Sequence, residues 1–383
     1  MYLHDQRGLP TVWVGAWLSL GVLTTAFSQA LGGELSDRLG RRRVLALSLW
    51  SRAATTALLA LAIRGRWPLG WMIAIHLTST FLAHFFEPAA RGWVADHAGA
   101  RERHRGYALL RTATHGGFAA GPALGGFLAE RSYAALFLAS AAVCALCAMG
   151  VSWLRDDAPK SAPEQRFDAA GALQAARDPL FLRLCALNAL ISVAMAQLVV
   201  PLSLYATRFA GLRDAQLGLL LSLNGAMTVL LQVPAARAMT GVPLSRAIVA
   251  GCLAYALGFA WVGHAGGFAA LACAVAVITL GELLVPTAVQ AVAANMAPAR
   301  QRGRYLGFLG LSRQLGASIG PAAGCAALEI ATARGAAGHW HAVAGVSALA
   351  ALGFWVLGGR LGPVALGTAA HPDEDPDELI VGA

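Results

Sequence analysis

The sequence predicts an all-α integral membrane protein made of two pseudo-symmetric helix bundles. Three observations predict this fold class: long apolar segments, a one-sided distribution of arginine, and an internal repeat. Hydrophobic residues make up 57% of the 383 positions and charged residues only 13%, which is far from the balance of a soluble globular protein. Because a chain in lipid must satisfy its own backbone hydrogen bonds, we expect the apolar segments to be helices.

Eleven apolar segments have the ~20 residues that a helix needs to cross a bilayer. They are residues 11–32, 44–63, 69–90, 106–129, 133–154, 180–206, 217–236, 247–265, 267–292, 305–330 and 341–358. The first segment is too long for a cleaved signal peptide and has no basic leader. The sequence therefore predicts eleven membrane-spanning helices.

The net charge of +9 comes almost wholly from arginine, and its distribution indicates membrane topology. Eighteen basic residues fall in one alternating set of connections and the C-terminal tail, whereas the opposite set has seven. Since basic loops stay on the cytoplasmic side, this bias predicts an outer N-terminus and a cytoplasmic C-terminus. We expect a multi-pass protein of the plasma membrane, the inner membrane in a bacterium, with the lipid bilayer and no nucleic acid as a partner.

An internal repeat relates the two halves of the chain. A shift of 203 positions aligns identical residues along the two halves, among them Gly15 with Gly218 and Ser19 with Ser222. A shift of 199 positions aligns the Gly-Pro pair at 121–122 with a second one at 320–321. Two halves in the same order are parallel repeats, which pack with a substrate cavity between them.

The repeat also predicts the domain organisation. We expect an N-terminal bundle at residues 1–154, a cytoplasmic interbundle loop at 155–179, a C-terminal bundle at 180–359 and a disordered cytoplasmic tail at 360–383. The first bundle then has five spans and the second six, because Tyr2 is the counterpart of Tyr205, which ends a span. We interpret Met1 as an internal methionine taken as a start, so that six plus six spans are expected; a natural fragment is the alternative.

A charged loop, Gly33-Glu-Leu-Ser-Asp-Arg-Leu-Gly-Arg-Arg-Arg43, is predicted between the first two spans. Its order Gly-x-x-x-Asp-Arg-x-Gly-Arg-Arg resembles the signature loop of the major facilitator superfamily, which lies between that family's second and third helices. The fifth-helix pattern of the family's twelve-spanner drug:proton antiporters is similar to a glycine-rich set here: Gly117, Gly121, Pro122, Gly125 and Gly126. Ordinary helix packing is the alternative interpretation of that set. The resemblance covers essentially the whole chain.

The resemblance implies that the charged loop is a gate latch on the cytoplasmic side. Its residues would be Gly33, Asp37, Arg38, Gly40, Arg41, Arg42 and Asp96. Asp37 would face the N-terminal end of a helix near Tyr305, and Arg41 would pair with Asp96. A solvated basic turn that only sets the topology is the alternative. Thr240 replaces the acid in the second half, so an asymmetric latch is expected.

Charged residues inside spans are costly and usually functional. The candidates for proton coupling are Glu87, Arg111, Glu282 and His84. His84, Glu87 and Arg91 have the spacing of one helix face. A structural salt bridge of Glu87 with an arginine is the alternative. Drug antiporters of this type often have a key acid on their first helix, for which this chain has no counterpart.

Polar residues are sparse within the spans, which suits a lipophilic solute better than a sugar with many hydroxyls. The candidates for lining a cavity are Gln29, Asn188, Gln197, Asn224, Gln290, Arg313 and Gln314. Interhelical hydrogen bonding is the alternative role for each of them. The six cysteines lie in apolar segments without a metal-ligand spacing, and we expect no metal, no cofactor and no enzymatic activity.

These observations predict a secondary active transporter that works by alternating access. We expect proton-coupled efflux of lipophilic small molecules by a monomer. Two alternatives stay open: a metabolite facilitator or symporter of the same superfamily, and a transport-inactive truncated membrane protein.

Overall fold

The structure, a computed structural model, describes residues 10–97, 103–154, 177–297, 302–331 and 333–369. Thirteen helices are described: α1 Thr11–Leu39, α2 Arg41–Arg64, α3 Leu69–Ala83, α4 Phe86–His97, α5 Arg103–Arg131, α6 Tyr133–Ser152, α7 Pro179–Met195, α8 Val200–Arg208, α9 Asp214–Ala238, α10 Leu244–Val262, α11 Phe268–Met296, α12 Arg302–Glu329 and α13 Ala333–Gly358. The described residues contain no β-strand. The predicted all-α class is confirmed.

Eight helical segments in the described ranges are long and apolar enough to cross a membrane. They are Arg41–Arg64, Leu69–Val94, Tyr133–Ser152, Pro179–Arg208, Asp214–Ala238, Leu244–Val262, Phe268–Met296 and Gly335–Gly358. The three remaining predicted spans coincide with α1, α5 and α12, which are 29, 29 and 28 residues long. The chain is therefore a multi-pass helical membrane protein.

In the described part of the chain, two spans are interrupted, and each interruption includes the residue four positions before a proline. The gap between α3 and α4 precedes Pro88, and the gap between α7 and α8 precedes Pro201. Proline has no N–H, and its ring collides with the carbonyl four residues earlier, here that of His84 or Gln197. His84 is the C-cap of α3 and α4 begins at Phe86, so the single continuous helix face predicted for His84, Glu87 and Arg91 is wrong.

The charged loop predicted at residues 33–43 is also wrong in its extent. Helix α1 continues to Leu39 and α2 begins at Arg41, so only Gly40 separates them. Glutamate, leucine and arginine are good helix formers, and charge alone does not end a helix. Gly40 has φ +94° and ψ 143°, a conformation that glycine adopts without strain. Arg38 is exposed in the last turn of α1.

The chain divides into two compact units. The first contains Met1–Phe167, Ala206–Ala226 and Pro321–Glu329, and the second contains Asp168–Tyr205, Met227–Gly320 and Ile330–Ala383. The bundles expected at 1–154 and 180–359 stay a prediction. In the first unit, buried Leu59 and Ala62 of α2 pack with Met72 and Ile75 of α3.

Glycines allow close helix packing in the second unit. A β-carbon on Gly251 of α10 would lie 2.6 Å from Val285 Cγ2 of α11, and one on Gly281 would lie 2.6 Å from the carbonyl oxygen of Gly251. Small residues let helix backbones approach each other, and such packing drives helix association in lipid. A stack of Tyr255, Phe259 and Trp340 joins α10 to α13.

Candidate functional site

The turn at Gly40 positions the arginines of the predicted latch. Arg41 Nη1 donates to Ser36 Oγ at 3.2 Å, which ties α2 back to the end of α1. Arg42 Nη1 donates to the carbonyl oxygen of Leu154, just after α6, at 2.9 Å. The two arginines at the start of α2 therefore tie the turn to the end of α1 and to the residues that follow α6.

Arg41 also lies against α4. A β-carbon on Gly92 would lie 2.7 Å from Arg41 Cζ, so glycine makes room for the guanidinium there. The predicted partner, Asp96, comes four residues later, about one helical turn along α4. The side chains of Asp37 and Asp96, like Gly33, lie outside the described residues. The Arg41–Asp96 pair thus stays a prediction.

Glu87 lies in the first turn of α4, directly after the interruption. Its Oε2 accepts a hydrogen bond from Gln29 Nε2 of α1 at 2.9 Å, and its Oε1 accepts one from Arg91 Nη2 at 2.5 Å. The side chain of Glu87 is 47% exposed and that of Arg91 is 64% exposed. The partial positive charge at a helix N-terminus also favours a carboxylate. We call Gln29, Glu87 and Arg91 the acid network.

His84 belongs to a different polar cluster. It lines a cavity of about 330 Å³ between α2, α3 and α6, together with Arg52 and His76. His84 Nδ1 lies 2.7 Å from the carbonyl oxygen of Thr80, while Thr55 Oγ1 donates to Ser79 Oγ at 2.8 Å. The cavity therefore presents imidazole, guanidinium and hydroxyl groups, a chemistry that suits polar atoms.

Two equivalent hydrogen bonds join helices in the first unit. The backbone N–H of Ala123 in α5 donates to Ser222 Oγ of α9 at 2.9 Å. The backbone N–H of Ala322 in α12 donates to Ser19 Oγ of α1 at 3.1 Å. Each alanine follows the proline of a Gly-Pro pair. The repeat had aligned the two serines, but residue spacing alone could not show that they accept these bonds.

Glycines bring the helix backbones together at the first of these contacts. A β-carbon on Gly126 would lie 2.4 Å from the carbonyl oxygen of Asp214, and one on Gly218 would lie 2.3 Å from that of Pro122. Both distances are too short for any side chain. We call this α5–α9 crossing and the α1–α12 crossing the Gly-Pro contacts.

The second Gly-Pro contact uses the same chemistry. A β-carbon on Gly15 would lie 2.6 Å from the carbonyl oxygen of Pro321. The rest of the predicted glycine-rich set lies outside these crossings. Gly125 faces Leu136 of α6 at an ordinary distance of 3.7 Å, while Gly117 and Gly121 have open space beside them among the described residues.

Two of the predicted cavity residues join helices in the second unit. Asn188 Nδ2 donates to the carbonyl oxygen of Leu309 at 3.2 Å and to Ser312 Oγ at 3.0 Å. Gln197 Nε2 donates to the carbonyl oxygen of Gly320 at 3.0 Å. All these bonds run from the interrupted α7 span to α12. Interhelical hydrogen bonding, the alternative role, describes both side chains.

The other candidates occupy varied positions. Asn224 is buried, Gln314 is half-buried, and Gln290 and Arg313 are exposed. Glu282 is half-buried in α11, beside Gly281.

Tyr255 lies next to Glu282 along the helix contact. Its ring packs against Gly281, and its buried hydroxyl has no hydrogen-bond partner among the described residues. The side chain of Arg111 lies outside the described residues. Within those residues, no group of three or more His, Cys, Asp or Glu side chains could hold a metal ion.

The sequence matches a known family along most of its length. The Major Facilitator Superfamily model matches residues 2–321, and a second, overlapping match covers residues 185–374. The chain belongs to the Major Facilitator Superfamily. The predicted membership of this superfamily is thereby confirmed, and the protein is a multi-pass membrane transporter.

Several curated members of the superfamily are similar to this chain. Multidrug resistance protein MdtH of Escherichia coli O81 is 26% identical over 317 residues, which cover 82% of this chain and 77% of MdtH. MdtH of Shigella boydii serotype 18 matches to the same extent.

Two solved transporter structures have the same fold. The nucleoside transporter NupG has a TM-score of 0.77 at 16% identity, with 93% of this chain and 92% of NupG covered. A POT family transporter in complex with 5-aminolevulinic acid has a TM-score of 0.77 at 12% identity, with 94% and 91% covered. The predicted superfamily fold is confirmed.

Proposed function

We propose that this protein is a proton-coupled exporter of lipophilic small molecules that works by alternating access. The acid network carries the proposal. It places the accessible carboxylate of Glu87 directly after the interruption of one span and joins it to Gln29 of another span. The likeness to a multidrug resistance protein and the low polarity of the spans support a lipophilic substrate. We further propose that the protein acts as a monomer.

Proton binding at Glu87 would change the contact between α1 and α4. The ionised carboxylate accepts hydrogen bonds from both Gln29 and Arg91. Protonation removes the charge that pairs with Arg91 and turns one oxygen into a donor. The bridge to α1 then weakens, so proton uptake favours movement of α1 relative to α4. Proton release restores the bridge and the original arrangement.

In this proposal the Gly-Pro contacts form an outer gate. They lie toward the helix ends whose connections contain few arginines, and connections with few arginines are expected on the outer side of the membrane. Arg41, Asp37 and Asp96 form the opposing latch on the cytoplasmic side. The same distribution of arginine supports a cytoplasmic C-terminus and a location in the bacterial inner membrane. The bundles at 1–154 and 180–359 would rock against each other around the substrate.

Transport by purified protein in liposomes tests the proposal. Ethidium and Nile red serve as a cationic and a neutral lipophilic probe, and a pH gradient is imposed across the membrane. We expect gradient-driven movement of at least one probe, abolished by an ionophore that collapses the gradient. The Glu87→Gln variant keeps the hydrogen-bonding shape but takes up no proton, so its gradient-driven flux should fall to that of empty liposomes.

Asp178→Asn is the matched control. Asp178 caps α7 by accepting from the backbone N–H groups of Leu180 and Phe181, and asparagine is an equally good cap. Its flux should equal that of the wild type. Flux that ignores the proton gradient would identify a facilitator instead, and the absence of flux for every probe would support the transport-inactive alternative. Loss of coupling in Glu282→Gln but not in Glu87→Gln would move the proton site to α11.

A further inference from the structure

Two histidines meet at one end of the helix pair α10 and α13. His264 follows the end of α10, and His341 lies near the start of α13, 77 residues later in the chain. Their Nε2 atoms are 3.0 Å apart, and their ring centroids are 4.9 Å apart with the ring planes inclined by 59°. Both residues are exposed, so an ion can reach the two nitrogens. We call His264 and His341 the histidine pair.

Close packing of α10 against α13 holds the histidine pair together. A β-carbon on Gly263 would lie 3.2 Å from the carbonyl oxygen of Ala337, so the end of α10 comes close to the α13 backbone. Trp340 of α13 is buried and stacks on Phe259 of α10, with the ring centroids 5.8 Å apart. The histidines directly follow Gly263 and Trp340. Their backbone positions are therefore set by the buried contacts next to them.

The geometry of the histidine pair suits a metal ion as well as a proton. One Nε2 donates to the other in the metal-free pair, since a neutral imidazole has one donor nitrogen and one acceptor nitrogen. When that proton moves through water to Nδ1 of the same ring, both Nε2 atoms present lone pairs. With the nitrogens 3.0 Å apart, two metal–nitrogen bonds of about 2.0–2.1 Å would make an angle of roughly 90–100°. This angle is typical of neighbouring ligands in octahedral coordination, and a slight opening of the pair gives the tetrahedral angle.

We propose that the histidine pair binds a divalent transition-metal cation of the class of Zn²⁺, Ni²⁺ and Cu²⁺. Imidazole is a ligand that these cations prefer, whereas Mg²⁺ and Ca²⁺ prefer oxygen ligands. Two protein ligands leave positions for water, which the exposure of both residues allows. The bound cation links the end of α10 to the start of α13.

The metal site is separate from the acid network. His264 and His341 both belong to the second unit, whereas Gln29, Glu87 and Arg91 belong to the first. The connections that precede α11 and α13 are in the set with few arginines, which is expected on the outer side of the membrane. The histidine pair is therefore expected to meet metal ions from outside, without transport.

Equilibrium binding of Zn²⁺ to the purified chain in detergent tests the proposal. The protein is purified through an affinity tag without histidine, because a polyhistidine tag binds the same ions. Titration calorimetry measures the affinity, and electron paramagnetic resonance of bound Cu²⁺ counts the nitrogen ligands. We expect saturable Zn²⁺ binding and two nitrogen ligands on Cu²⁺. Zn²⁺ should also raise the melting temperature, because a ligand that binds only the folded state stabilises it. Mg²⁺ should not raise it.

Two single variants and a control locate the cation. His264→Gln and His341→Gln each remove one ligand at an exposed position, and melting temperatures without metal verify that both variants fold. Each should weaken Zn²⁺ binding by at least ~10-fold, which corresponds to about 1.4 kcal/mol. Each should also lose one nitrogen ligand on Cu²⁺. His76→Gln is the matched control, since His76 shares the cavity of the first unit with a second histidine, His84. This variant should bind Zn²⁺ as the wild type does.

Two kinds of result would overturn the proposal. The first is the absence of saturable Zn²⁺ binding by the wild type, or binding by His264→Gln or His341→Gln that is as tight as that of the wild type. The hydrogen bond would then be the whole role of the histidine pair. The second is loss of binding in His76→Gln alone, which would place the cation in the cavity of the first unit. No step of this test involves transport, so the proposed function is tested separately.

Discussion

Single residues decide where the helices of this transporter turn or break. Gly40 separates α1 from α2 with a conformation that other residues adopt only under strain. Pro88 and Pro201 each lie in the first turn of the helix that follows an interruption, where the missing N–H removes no helical hydrogen bond. The first of these interruptions places Glu87 at a helix start, where it meets Gln29 of α1. The acid network thus depends on backbone chemistry as well as on its own side chains.

The Gly40→Ala variant tests the turn. Alanine at φ +94° and ψ 143° should destabilise the protein by about 1–3 kcal/mol, because this backbone region is essentially restricted to glycine. Thermal unfolding in detergent measures the loss. Gly70→Ala in α3 is the control, since open space surrounds that position among the described residues and alanine favours a helix. Equal melting temperatures for the two variants would contradict the assignment.

The two Gly-Pro contacts join two pairs of helices, α5 with α9 and α1 with α12, through the same kind of interaction. Glycine removes the side chain that would separate the backbones, and a serine from the neighbouring helix accepts the N–H that follows the proline. The α5–α9 contact packs Gly126 against the start of α9. A contact without long side chains can form and separate with few rearrangements, which is the property that a gate requires.

The Gly126→Ala variant should weaken the α5–α9 contact. Its β-carbon would lie 2.4 Å from a backbone oxygen that cannot move aside without displacing α9. Steric overlap of this kind typically costs about 1–3 kcal/mol. We expect a lower melting temperature and a changed transport rate. Gly121→Ala is the control, because Gly121 lies in the same helix with open space beside it among the described residues. This variant should behave as the wild type. An equal loss in both variants would argue against a specific contact.

The serines provide a second test at this scale. Ser222→Ala and Ser19→Ala each remove an acceptor from a backbone N–H, and each should cost about 1 kcal/mol. Because the two bonds involve different helix pairs, the effects should add in the double variant. Denaturation of the single and double variants measures this. A double variant no less stable than either single one would show that the contacts are coupled.

For the whole molecule, the distribution of arginine predicts how the spans are oriented. Eighteen basic residues belong to one side and seven to the other, so the C-terminus should be cytoplasmic. Fusion of green fluorescent protein after Ala383 should give fluorescent cells, whereas fusion of alkaline phosphatase there should give no activity. A fusion of the phosphatase after Arg131 should be active. The opposite pattern would reverse the topology.

Much of the fold could be predicted because membrane burial leaves a strong signal in the sequence. Apolar length predicts spans, and all eleven predicted spans coincide with helical segments. The charged segment was predicted to be a loop over residues 33–43, but residues 34–39 continue helix α1. The partners of Glu87 were not predictable in full: Arg91 was one of several possible arginines, whereas Gln29 is 58 residues away in sequence. Only packing brings such positions together.

The sequence by itself determined the superfamily and the helical spans, because these properties depend on composition and order along the chain. Only the tertiary structure decided which glycines are covered. Gly121 and Gly320 are equivalent in sequence, yet Gly320 packs against α7 while Gly121 is open among the described residues. Coverage depends on which helix occupies the neighbouring space, and residue order along one helix does not specify that neighbour.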